Sequence, residues 1–411
     1  MTSEPREAYV WVWLPGAKDP VVAGRLDSAG SIITFTYARS YLARKNRMAL
    51  FLPELPLERA RMTPLVGEVA GCIADAAPDS WGQRVILNRR VGRDATDTAD
   101  LGLLTYLLES SGTDRIGALD FQPSPSNYVP RPDPHGTLDE LAHSADRVEK
   151  GVPLTPELDE ALLHGSSVGG ARPKALLSDG DRRLIAKFSS TTDSYPIVKG
   201  EFVAMELARR AGLNVAPASL THALGKDALL IERFDRPPAG GRRAMVSALT
   251  ILKLDENSMR YASYADFARN IRTRFSDPVP TLVELFARIT FNILTGNNDD
   301  HARNHAAFWD GAELTLTPAY DICPQPRAGG ETAQVMAIGE DGWRMSQVAG
   351  CVDRAATYHL SVAAAREIID HQIDLITTEW SEVCDRAELT QVERQGFWRR
   401  QFLNPYATEG Y

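Results

Sequence analysis

Thr295-Gly296-Asn297-Asn298-Asp299-Asp300-His301-Ala302-Arg303-Asn304-His305 follows directly on an apolar, helix-periodic run, Leu282 to Leu294. Two carboxylates, three amides and two histidines crowd into this stretch, whereas a plain turn needs only one or two Asn or Asp to bend the chain. The spacing gives the groups different tasks. Asp299, beside a hydroxyl, can accept its proton, and Asn304, five residues later, can offer a side-chain oxygen to Mg²⁺. A solvated turn is the competing reading. His301 and His305 stand four apart, as zinc ligands on a helix do, but HARNH lacks the glutamate of HExxH, so zinc is not expected.

Outward from this stretch the same chemistry recurs. Downstream, the strand-like run Leu314 to Leu316 leads to Tyr320-Asp321, and Asp321 lies seventeen residues after Asn304, where a second cation ligand is needed. Upstream lies Gly165-Ser166-Ser167-Val168-Gly169-Gly170-Ala171-Arg172-Pro173-Lys174, whose small residues let backbone amides approach a phosphate while Arg172 and Lys174 supply charge. It lacks the GxxxxGK[ST] spacing of a P-loop, and taken singly it reads as a turn. Lys187 sits in the strand-like LIAKF, and Glu201 is expected to begin a helix fourteen residues later, an order in which a helix carboxylate steadies a phosphate-binding lysine. Taken singly, each also has a plain explanation, an exposed lysine and a glutamate favoured by the helix dipole. Ala228 to Ile231 then runs as a strand into Glu232-Arg233-Phe234-Asp235. The order of these features points to phosphoryl transfer, which needs charge neutralisation and positioning more than covalent chemistry.

The rest of the chain bounds the reading. At 411 residues it exceeds the size at which one core usually stops growing, so two lobes are expected. A net charge of −9 argues against a broad nucleic-acid footprint, leaving DNA to a basic partner. Cys72, Cys323, Cys351 and Cys384 form no CxxC pair, so neither a disulfide framework nor a thiolate metal site is indicated. No apolar run approaches the roughly 18 residues of a membrane span, and MTSEPREAYVWVW lacks a secretory pattern, so a cytoplasmic protein is expected.

Tyr9 to Trp13, Ile32 to Tyr37 and Met48 to Leu52 read as strands of a small antiparallel sheet. Val66 to Val91 and Leu101 to Leu108 read as a helical layer over it. Gln122 to Gly136 holds prolines at 123, 125, 130, 132 and 134 and reads as extended. Thr155 to Leu163, Glu201 to Ala211 and Leu360 to Cys384 read as helices.

SVGGARPK, the ERFDR box at Glu232 to Arg236, GNNDDHARNHAAF and LTPAYDI together resemble the signatures of HipA-type kinases. The stretch around Pro78 to Ile86 (PDSWGQRVI) is similar to that family's N-terminal companion domain, so the likeness runs from about residue 8 to 380. It implies an α+β, two-lobed, protein-kinase-like fold. The expected parts are a companion domain of small sheet plus helices over 1–121, a proline-rich connector over 122–150, a phosphate-loop part over 151–235 and a helical lobe over 236–411.

The likeness also implies an ATP- and Mg²⁺-dependent protein serine/threonine kinase acting as a toxin. Its protein substrate would be a translation component such as an aminoacyl-tRNA synthetase, and its partner a HipB-like DNA-binding antitoxin, with DNA reached only through that antitoxin. By motif, Asp299 looks like the base, Asn304 and Asp321 the Mg²⁺ ligands and Lys187 the phosphate lysine with Glu201 as its partner. Gly169, Gly170, Ala171, Arg172, Pro173, Lys174, His301 and Tyr320 fall at the nucleotide, and Glu232, Arg233 and Phe234 form the linker that receives adenine. Ser167 matches a loop serine that family members autophosphorylate, with Ser166 adjacent. Asp300 is a departure that either raises the pKa of Asp299 or repels an acidic substrate. A co-repressor without transfer activity and a small-molecule kinase are the alternatives. Residues after about 385 match nothing.

Overall fold

The computed structural model describes residues 4–91, 101–110, 115–130, 136–152, 154, 172–190, 193–327 and 330–411. The chain divides into two compact units: 1–190 with 221–246 and 308–312, and 191–220 with 247–307 and 313–411.

In the first unit, β1 (Glu7–Val12), β2 (Val21–Ala29), β3 (Ile32–Tyr37) and β4 (Leu119–Gln122) form an antiparallel sheet of order β3-β2-β1-β4. A Cβ at Gly24 would stand 2.3 Å from the Thr36 carbonyl oxygen, so only glycine lets β2 lie this close to β3. Met48 to Leu52, expected as a strand, is not one. Its residues through Phe51 are buried, but side chains take its backbone groups: Tyr41 donates to the Met48 carbonyl (2.7 Å), Leu50 N–H donates to the Tyr37 hydroxyl (2.9 Å), and Trp309 Nε1 donates to the Ala49 carbonyl (2.9 Å). Burial satisfied by hydroxyl and indole partners gives the same apolar pattern as a strand.

A second sheet, of order β5-β6-β8-β7, is built from β5 (Lys174–Asp179), β6 (Arg182–Phe188), β7 (Ala218–Ala223) and β8 (Lys226–Glu232). Ala175, Ala186, Phe188 and Ala228 on this sheet share one core with Trp81 and Val85 of the Ser80–Val91 helix and with Leu141, Ala145 and Val148 of the Leu138–Glu149 helix. The helical layer expected over the first sheet is therefore split. The Leu103–Glu109 helix packs on β1 and β4, whereas Trp81 and Val85 serve the second sheet. The Leu138–Glu149 helix starts in a Thr137/Glu140 capping box, beyond the prolines that keep 123–130 free of regular structure.

The second unit is largely helical. The Pro278–Leu294 helix packs against the Tyr264–Arg274 and Val362–Arg386 helices, and the latter packs on Ile197–Arg210. Proline at its first position suits a helix start, and buried Leu285, Phe286, Ile289, Phe291 and Ile293 fix its axis, each contributing roughly 1.5–3 kcal/mol by leaving water. Glu206 ties two of the helices together. It accepts from Arg209 (2.8 Å), Arg210 (2.9 Å) and Arg386, while Arg210 also reaches Glu382 (2.7 Å) and Glu379. Among the described residues no helix is long and apolar enough to cross a membrane.

Candidate active site

The Pro278–Leu294 helix ends at Thr295, and Gly296 takes φ +71°, a left-handed turn that releases the chain into the polar loop. A Cβ on Gly296 would lie 2.8 Å from the Gln401 carbonyl oxygen, so glycine is required here for space as well as for conformation. The segment pressing on it follows the Gln391–Phe397 helix. Leu403 N–H donates to the Leu294 carbonyl (2.7 Å), taking one of the acceptors a helix end leaves open. Residues after 385, unassigned by sequence, thus back the entrance to the loop.

Within the loop, neighbouring acids have opposite settings. Asp299 lies exposed. Protein packed on its other side removes enough water to raise its carboxyl pKa above the ordinary value; His301 opposes this, and the Asp321 and Asp300 charges add to it. Asp300 is 2% exposed. Its carboxylate accepts from Asn292 Nδ2 (2.8 Å) and from the Tyr264 hydroxyl, and pairs with His305 Nε2 (2.8 Å). Burial alone would raise its pKa, but His305 and the Tyr264 hydroxyl hold it below the usual carboxylate range. Asp300 therefore points inward and cannot repel a substrate, and its effect on Asp299 is a minor electrostatic one.

Asn304 Nδ2 donates to Asp321 Oδ2 (2.8 Å), which joins the two expected cation ligands. With the amide nitrogen committed to Asp321, the side-chain oxygen is the atom through which Asn304 would meet a cation. Asp321 adopts φ +60°, a conformation uncommon away from glycine and frequent at functional turns. The Tyr320 hydroxyl donates to the Arg303 carbonyl (2.7 Å), binding the Asp321 turn to the loop. Asn297 Nδ2 donates to Asn292 Oδ1 (3.1 Å) and, more weakly, to the Asp321 carbonyl (3.4 Å). His301 is half-buried near Asp299. Among the described residues no group of three or more His, Cys, Asp or Glu side chains is placed to hold a metal. A cation at Asn304 and Asp321 would therefore complete its shell with phosphate or water oxygens, the habit of Mg²⁺.

Glu201 lies in the second unit, 2% exposed and in the second turn of a helix that starts at Ile197, so it does not begin the helix and the dipole account fails for it. Lys187 lies in the first unit, half-buried on β6 directly opposite Lys174 on β5. Lys174 is 1% exposed and pairs with Asp79 at 3.0 Å, so reaching a phosphate would require that ion pair to open. Arg172 is half-buried and Pro173 buried, its carbonyl accepting from Phe188 N–H (3.2 Å). Gly169, Gly170, Ala171, Ser166 and Ser167, like the helix expected over Thr155 to Leu163, lie outside the described residues.

In the linker, Arg233 N–H donates to the Arg183 carbonyl (2.8 Å), Glu232 is half-buried at the end of β8, and Phe234 meets Phe308 edge-on at 5.8 Å. The two arginines of the ERFDR box serve Asp235, which takes a two-pronged bond from Arg233 (3.0 and 2.8 Å), a bond from Arg236 (2.8 Å) and one from Gly117 N–H (2.8 Å). Burial opposes ionisation there, but the two guanidinium groups and the amide keep Asp235 well below the ordinary range. Sequence reading gave no role to Tyr264, Asn292, Asp79 or Asp235, although Asp79 and Asp235 stand in the PDSWGQRVI and ERFDR stretches and Asn292 is a lone amide in the apolar run Phe291-Asn292-Ile293-Leu294.

Residues 166–380 match the HipA-like C-terminal domain and residues 12–122 the HipA N-terminal domain. The chain is 26% identical over 359 residues to the putative kinase Y4mE of Sinorhizobium fredii, covering 76% of this chain and 79% of that protein. It is 29% identical over 186 residues to the serine/threonine-protein kinase toxin HipA of Shewanella oneidensis, covering 38% of this chain and 42% of the toxin. In fold it is similar to the toxin–antitoxin complex of HipA, HipB and operator DNA from Shewanella oneidensis, with a TM-score of 0.70 at 20% identity over 97% of this chain and 95% of the solved one.

Proposed function

The chain belongs to the HipA-like family, whose C-terminal and N-terminal domains match residues 166–380 and 12–122, and from that premise we propose that it is an ATP-dependent kinase phosphorylating serine or threonine on a protein. One observation carries the reading: an exposed carboxylate of raised basicity, Asp299, stands on the same short loop as Asn304, whose amide is bonded to Asp321 at 2.8 Å. Asp299 receives the proton released by the acceptor hydroxyl as that oxygen bonds to the γ-phosphorus and the bridging oxygen leaves with ADP. Its raised pKa strengthens it as a base. Asn304, through its oxygen, and Asp321 are the residues that would hold Mg²⁺, which when bound neutralises phosphate charge. Lys187 brings positive charge to the phosphates, residues 169–174 meet them as well, and Glu232 to Phe234 receive adenine.

In the same reading the protein is a toxin held by a HipB-like antitoxin, which alone touches DNA, and its substrate is a translation component such as an aminoacyl-tRNA synthetase. Autophosphorylation falls on Ser167 or its neighbour Ser166, where a phosphate would add about −1.5 to −2 charge to the loop. Purified protein with Mg²⁺ and γ-labelled ATP, followed by mass-spectrometric mapping, tests this. Phosphate on Ser167 or Ser166 that is absent in Asp299→Ala is the expected result. Nucleotide binding without transfer in the unaltered protein would sink the kinase reading in favour of a binding module.

A further inference from the structure

Asp300 gathers donors from three elements that meet behind the loop: Tyr264 at the start of one helix, Asn292 near the end of another, and His305 where the chain leaves the loop for the Ala306–Trp309 strand. All four side chains are buried, with Tyr264 at 0%, Asp300 at 2%, His305 at 3% and Asn292 at 4% exposure. The network continues forward. Asn292 donates to Asp300 while its oxygen accepts from Asn297, which reaches the Asp321 carbonyl, so one chain of polar contacts runs from the buried acid to the turn carrying the cation ligand. The backbone is tied on the far side as well, where Ala248 N–H donates to the His305 carbonyl (2.7 Å) and Leu249 N–H to the Ala302 carbonyl (3.2 Å).

A buried carboxylate persists only when it is hydrogen-bonded, and here contacts from three different elements converge on one oxygen, Asp300 Oδ2. Asp299 is the next residue and faces solvent, so whatever fixes the peptide between residues 299 and 300 also fixes the base. Resting on the kinase reading, we infer that Asp300 is a positioning residue: with Tyr264, Asn292 and His305 it holds Asp299 in register with Asn304 and Asp321. It touches no reacting atom. Its contribution is geometric, and a misplacement of about 1 Å at a reacting group costs roughly a hundredfold in rate.

The test is Asp300→Asn, which keeps the shape but replaces the charged oxygen shared by Tyr264, Asn292 and His305 with a neutral, weaker acceptor, with Tyr264→Phe as a milder variant that removes one donor. In the full chain, Asp300→Asn is expected to lower kcat roughly 10- to 100-fold while the KM for ATP moves less than about threefold. Amide hydrogen exchange across residues 297–305 should speed up, with exchange in the Val362–Arg386 helix unchanged. Tyr264→Phe should shift both readouts in the same direction and by less, and it decides the matter if Asp300→Asn does not fold. A kcat within about twofold of the unaltered protein, or unchanged exchange at 297–305, overturns the inference. Absence of transfer in the unaltered protein would instead overturn the kinase reading, and the exchange pattern alone would then decide whether Asp300 anchors the loop.

Discussion

Glu206 and Asp300 are both carboxylates enclosed by the second unit, and they differ in what surrounds them. Glu206 is met by three arginines: Arg209 and Arg386, about half exposed, and Arg210, mostly covered and bonded onward to Glu379 and Glu382. Asp300 is met by a phenol, an amide and an imidazole, all buried. Partly exposed cations contribute stability that solvent screens, whereas buried donors in the interior fix position. The same residue chemistry thus holds helices together in one place and aims a loop in the other.

The sharpest break of this comparison comes from the proposed base. Asp299→Ala should lower phosphate transfer by about 10²- to 10⁴-fold with a melting temperature close to that of the unaltered protein, as measured by labelled-ATP assay and calorimetry. A large drop in stability would mean that Asp299 belongs with Asp300 as a structural acid. Next in size is Gly296→Ala. Its Cβ meets the Gln401 backbone in a left-handed residue, so about 2–3 kcal/mol of stability should be lost in denaturant unfolding, together with transfer activity. Loss of stability without loss of activity would separate the backing segment from the loop's aim.

Glu206→Gln probes the other pole. The carboxyl pKa is lowered to about 2: burial opposes this, but the bonds from Arg209 and Arg210 outweigh it. A lowered folded-state pKa gives stability that is present above the unfolded value, about 4.3, and is lost as pH falls toward 2. Because solvent screens this cluster, about 1 kcal/mol is expected at neutral pH, and the variant should show a shallower loss of stability than the unaltered protein between about pH 4.3 and 2. Activity per folded molecule should be unchanged, since the cluster holds helices rather than the loop. The smallest effect belongs to Glu382→Ala, an exposed outer partner of Arg210, whose denaturant unfolding curve should overlay that of the unaltered protein because solvent screens the pair.

Sequence reading succeeded where one stretch of chain carries its own signal. Ile32 to Tyr37 and Leu314 to Leu316 were legible because β-branched and apolar residues run between turn-formers, and the loop from Gly296 was legible because its polar groups are contiguous. β2 was missed because Gly24, Arg25, Asp27 and Ser28 interrupt its apolar residues, and only the close approach to β3 explains the glycine. Met48 to Leu52 was misread because its partners are hydroxyls and an indole from elsewhere. Asp300 read as an extra acid beside Asp299, able to raise its pKa or repel a substrate, because its Tyr264 partner lies far back in the chain and its Asn292 partner sits inside an apolar helix. Which way an acid points is set by packing, and one-dimensional order does not record it.

The close fit of Gly296 against Gln401 has a temporal side. The residues of the loop leave the ribosome well before the segment that presses on them, which lies more than a hundred residues further along the chain. Contacts of such long separation close late, after the chain between them has been ordered. A nascent chain therefore holds the polar side chains of the loop before it holds the surface that packs on Gly296, and that packing is complete only once the Gln391–Phe397 helix and the residues after it have docked.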